Sequence, residues 1–120
     1  MDGFDLHQLN QELVALKGEG GRRAVELQNA KSARLAAARA WERRKAAVRR
    51  ETVGTVQAKE DACTLDEQAS KLWEAYDLAC VAEEYAKAMA RECANEQSNV
   101  QTRAKLAVEA MRLAGIGGGA

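Results

Sequence analysis

From Leu65 onward the small and apolar positions of the chain fall in steps that alternate between four and three residues. They run through positions 69, 72, 76, 79, 83, 86, 90, 93, 97, 100, 104, 107, 111 and 114. Seven heptads in one cadence predict a single amphipathic helix over about 65–113 with a coiled-coil seam. Two polar residues, Glu83 and Gln97, interrupt that seam, and polar seam residues fix register or oligomer state. Thr64 and Glu67 have the spacing of a capping box that would start the helix. Ser98 and Gln101 repeat the spacing, so the pattern allows a kink or restart there.

Upstream, Leu6, Leu9, Leu13 and Leu16 recur at three, four and three residues, which predicts a helix over about 5–17. Gly18, Gly20 and Gly21 predict a break at 18–21, Gly54 a turn over about 53–64, and "GIGGGA" a flexible tail at 115–120. Between the glycine marks, residues 22–52 form a second predicted helix. Its apolar sector holds Ala30, Ala33, Ala37, Ala40, Trp41, Ala47 and Val48, and Arg44 intrudes on it.

Folding the chain back near residue 57 gives two arms of similar length. Trp41 then falls level with Trp73, the 18–21 glycines fall level with 93–97, and the four leucines face the seam of residues 98–111. The expected fold class is all-α, a long antiparallel helical hairpin or coiled coil built as one domain over 1–114. Leu72, Tyr76, Ala79, Ala86, Ala90, Val100 and Met111, with Trp41 and Trp73, are its candidate packing and oligomer seam.

Composition sharpens this picture. The 120 residues contain no proline, 47 % are hydrophobic and only 4 % aromatic. Much of the apolar content is alanine, which favours helix but buries little area. Such a chain is expected to associate into a homo-oligomer.

Charge is neutral in sum and uneven in place. Residues 1–21 carry four acids and one base, residues 22–50 ten bases and two acids, and residues 51–120 twelve acids and seven bases. Part of the basic excess is expected to face the acidic start of the third helix, an arrangement that also suits the helix dipoles. The remainder would meet phosphates. The candidate nucleic-acid-binding residues are therefore Arg22, Arg23, Lys31, Arg34, Arg39, Arg43, Lys45, Arg49 and Arg50. With so few aromatics to stack on bases, such binding would be electrostatic and weakly sequence-specific.

Other chemistries find little purchase. Three cysteines without C-x-x-C spacing and one histidine suggest neither a disulfide framework nor a metal site. Neither a catalytic motif nor a cofactor motif is present, so the expectation is no enzyme, no cofactor and no small-molecule substrate. The sequence shows neither a signal peptide nor a membrane-length apolar run, which suggests a cytoplasmic protein without a membrane partner.

A basic, alanine-rich helix leads into "GTVQAKEDA", then the acidic amphipathic "EQASKLWEAYDLACVAEEYAKAMA", then "QSNVQTRAKLA". This order resembles small all-helical proteins encoded in bacteriophage genomes among recombination and replication genes, near single-strand annealing recombinases. The likeness is one of pattern over most of residues 9–113 and carries no signature site. It implies a non-catalytic recombination accessory or mediator that binds single-stranded DNA, a recombinase or both through its basic second helix, in the host cytoplasm. The alternative is a structural or scaffolding coiled-coil protein of phage assembly, whose charges serve only pairing between helices.

Overall fold

A computed structural model describes residues 6–115, and among them the fold is all-α. Three helices follow in order: α1 (Leu6–Glu51), α2 (Val56–Leu65) and α3 (Glu67–Leu113). The Leu6 side chain and the 116–120 tail lie outside the described residues. The described chain divides into two compact units, one formed by residues 6–25 with 88–115 and the other by residues 26–87.

In the first unit the amino-terminal part of α1 packs antiparallel on the carboxy-terminal part of α3. Leu9, Val100 and Ala107 are buried together, with Leu13, Leu16 and Ala104 packed against them. These are the leucine stripe and the seam that the spacing set face to face. Burying one leucine side chain contributes about 2 kcal/mol, several times the contribution of an alanine methyl. Across the same face the Cys93 thiol donates to the Leu16 carbonyl at 3.7 Å, and Arg103 pairs with Glu12 at 2.8 Å.

The expected break at 18–21 does not occur, because α1 runs unbroken through all three glycines. Gly20 faces Gln97, where an added Cβ would lie 4.0 Å from Oε1, while at Gly18 and Gly21 it would meet nothing within 4 Å. The four-three cadence explains the continuity. Leu9, Leu13, Leu16, Gly20, Arg23, Leu27, Ala30, Arg34, Ala37, Trp41, Arg44 and Val48 are all buried or half-buried, so packing resumes in phase beyond the glycines. Three helical glycines cost about 1 kcal/mol each relative to alanine, and the contacts on either side offset this.

In the second unit the 53–64 turn is replaced by a short tight loop and α2. Thr52 closes α1 by donating its hydroxyl to the Val48 carbonyl at 2.7 Å. Gly54 takes φ +137°, a conformation that L side chains rarely adopt, and Thr55 then caps α2 by accepting from the Ala58 N–H at 3.1 Å. The cap of α3 is Asp66, which accepts from the Ala69 N–H at 2.8 Å. The expected capping residue Thr64 instead donates its hydroxyl to the Glu60 carbonyl inside α2. A carboxylate at this position answers both the open N–H groups and the positive end of the helix dipole, which a hydroxyl does less well.

From Asp66, α3 continues through Ser98 without interruption. Its seam positions from Ala69 to Met111 are all buried or half-buried, as the heptads require. Two expectations about the seam need correction. Trp73 is 47 % exposed and lies outside it; the ring that stacks on Trp41 is Tyr76, at 5.7 Å between centroids and 20° between planes. The register is thus shifted by about one helical turn from the expected pairing, which brings the seam residue Tyr76 level with Trp41. The seam is also consumed within the chain, since Leu9, Leu13 and Leu16 cover Val100 and Ala104 while Trp41 covers Tyr76.

Replacing Gly18 and Gly21 together by alanine is expected to raise stability by about 2 kcal/mol, seen as a higher midpoint in urea melts followed by helical circular dichroism. Gly54→Ala is expected to lower it by about 1 kcal/mol or more, because its φ strains any β-carbon.

Candidate nucleic-acid interface

The bases of α1 divide into two sets according to their phase on the helix. Seam phase or its flank places a guanidinium against α2 or α3, and an acid meets it there. Arg44 holds Asp66 with both arms of its fork, at 2.8 and 2.9 Å. Arg49 holds Glu60 the same way at 2.7 and 3.3 Å. Arg34 enters the seam and pairs with Glu83, which is only 5 % exposed and is also reached by Lys87 at 3.5 Å.

Electrostatics follow this geometry. Hydrogen bonding from Arg44, then from the Ala69 N–H, holds the Asp66 carboxyl down at about 2. Arg49 likewise lowers Glu60 by its hydrogen bond. At Glu83 burial pushes upward, but the hydrogen bond and charge of Arg34, helped by Lys87, leave the carboxyl below its ordinary value. The expected pairing between the basic end of one helix and the acidic start of the next is therefore present, and it falls on Arg34, Arg44 and Arg49.

This changes the roles of several candidate residues. Arg34 and Arg49 serve the fold. Lys45 pairs with Glu42 at 2.9 Å and lies 3.7 Å from the centre of the Trp41 ring, a cation–π contact. Arg23 pairs with Glu19 at 3.4 Å in the first unit. Lys31 is half-buried, and Arg22 is exposed in the first unit.

Three candidates remain that share one surface. Arg39, Arg43 and Arg50 are exposed, and among the described residues none of them forms an ion pair. Offsets of four and seven residues place all three on one face of α1, turned away from the seam. Ala46 lies between Arg43 and Arg50. At 1.5 Å per residue the stripe is about 16 Å long. Trp41 is stacked in the seam and offers no face here, so the stripe holds charge without a stacking platform.

The three cysteines are free thiols. Burial, then the charges of Glu19 and Glu96, push the Cys93 thiol upward, away from the reactive thiolate form. Among the described residues no cluster of three or more His, Cys, Asp and Glu side chains has the arrangement to hold a metal ion, and no helix is long and apolar enough to cross a membrane. No protein-family model, curated protein or solved structure matches the chain.

The depressed carboxyls set the direction of acid sensitivity. Asp66 titrates near 2 in the fold against 3.8 ordinarily, so its stabilisation is complete above about pH 4 and is lost as pH falls toward 2. Glu60 and Glu83 act in the same direction. Asn caps helices nearly as well as Asp, so Asp66→Asn is expected to keep α3 capped while flattening the fall in urea midpoint between about pH 4 and pH 2.

Proposed function

We propose that this chain is a non-catalytic DNA-binding accessory protein that holds single strands by their phosphates along the outer face of α1. The observation that carries the reading is the Arg39, Arg43 and Arg50 stripe, exposed and without ion pairs, beside seam arginines that are matched one by one to acids. An arginine fork suits a phosphate oxygen pair as well as a carboxylate. With no carboxylate paired to it among the described residues, the stripe is open to a polyanion. The pattern resemblance to phage recombination accessory proteins supplies the context, in which the chain delivers a single strand to a recombinase.

One observation favours the scaffolding alternative. α3 exposes Leu78, Val81 and Tyr85 at 70, 60 and 66 %, an apolar stripe better suited to protein than to phosphate. The two readings place their partners on different helices.

Fluorescence anisotropy with a labelled oligothymidylate tests the DNA-binding role. Three phosphate contacts predict log K falling with log salt at a slope of about −2, and Arg43→Ala with Arg50→Ala should reduce it to about −0.7. Replacing Lys105, an exposed base on α3, should leave binding unchanged. Absent or salt-insensitive binding, or a slope indifferent to the double substitution, rules the proposal out.

A further inference from the structure

The α3 seam is occupied by the chain's own α1, so association between copies requires another surface. One is present on the opposite face of α3 in the second unit. Leu78, Val81 and Tyr85, with Glu74 one turn before Leu78, follow each other at four, three and four residues and are all exposed. Single exposed apolar side chains are ordinary, but three in one stripe mark a contact surface. Glu74 and its neighbour Asp77 are exposed and, among the described residues, form no ion pair. The stripe is apolar with an acidic flank.

Its complement lies on the outer face of α1. Arg39, Arg43, Ala46 and Arg50 have the same four, three and four spacing. That cadence reads identically in both directions. Laid parallel or antiparallel, one outer arginine meets Glu74 and the other meets the Tyr85 ring, while Ala46 leaves room for Val81 or Leu78. The match combines a charge pair, a cation–π contact and an aliphatic contact at a small residue. Within the unit the two stripes face away from the shared seam, so one chain cannot bring them together.

We propose that the Leu78–Val81–Tyr85 stripe is a docking surface for a second copy of this chain, which seats the arginine face of its α1 there. The contact is heterologous: each copy offers one face and keeps the other open, so assembly continues beyond two chains until it closes on itself. The inference rests on the same exposed arginines as the DNA-binding reading, and it makes a second copy and a single strand competitors for them.

Two variants of the full chain separate the faces. Val81→Asp with Tyr85→Ala removes the α3 face, and Arg39→Glu with Arg43→Glu removes the α1 face. All four positions lie outside the seam, and circular dichroism checks that helicity is retained. In sedimentation velocity at about 50 mM salt, the unmodified chain should grow past a dimer between about 1 and 100 μM. Each variant alone should associate at least about tenfold more weakly. An equimolar mixture of the two should form a heterodimer and nothing larger, because it retains one intact pair of faces. An unmodified chain that stays monomeric, a variant that assembles like it, or a mixture that stays monomeric or passes the dimer would overturn the proposal. The α3 variant keeps its arginines and, seating no arginine face of another copy, should bind oligothymidylate at least as well as the unmodified chain. Loss of DNA binding with assembly intact therefore overturns only the earlier reading, and the reverse result only this one.

Discussion

Glu83 is a carboxylate in a seam made largely of alanines, and it must meet a cation there. An unpaired buried charge costs far more than any alanine contact returns; Lys87 reaches Glu83 along its own helix at 3.5 Å, and Arg34 supplies the partner across the seam, so registers that bring Arg34 to Glu83 are favoured. Sliding α3 by one heptad would keep small residues in the seam and leave Glu83 facing Trp41 or Leu27 in place of Arg34. The alanines permit several registers, and the buried acid selects among them. Once register is set in the second unit, Trp41 stacks on Tyr76 and Arg44 reaches Asp66. The outward phase of every remaining side chain on these helices follows.

Asp66 shows how much of the chain reversal depends on one residue. Its carboxylate takes the Ala69 N–H and both arms of Arg44, and its own N–H reaches the Cys63 carbonyl at 3.4 Å. One side chain thus caps α3, anchors α1 and sits at the end of α2. Arg49 adds a second tie from α1 to Glu60 of α2. The short helix α2 buries Cys63 and little else, so charge-assisted hydrogen bonds hold it in place more than apolar area does.

How much of this was legible in the sequence depends on the kind of signal. The α3 cadence was legible because it runs without a missed step from Ala69 to Met111, though Trp73, expected in the seam, lies off that cadence, and the facing of Leu9, Leu13 and Leu16 toward Val100 and Ala104 followed from arm length. The unbroken α1 was masked by three glycines and by arginines at seam positions 23, 34 and 44. A search for apolar residues passes over these, yet the same four-three count from Leu9 to Val48 runs straight through them. α2 was hidden for a different reason. Its partners are Arg49 and Asp66, distant or polar, and only Thr55 ahead of Ala58 marked its start. The division of the α1 bases was half legible: net charge showed the surplus, but which arginines are paired depends on helical phase against α2 and α3.

That phase gives one residue type two physical roles. Arg44 forms a short two-armed pair with the partly buried Asp66, and a pair so placed loses less to added salt than exposed charges do. Arg39, Arg43 and Arg50 stand exposed in water, where a mobile ion screens them as readily as a ligand does. Their attraction to any polyanion or acidic face is therefore weak per contact and grows only by multiplication along a strand or across an assembly. A hairpin whose fold tolerates salt can then bind in a way that does not, and the two responses arise from arginines less than two helical turns apart.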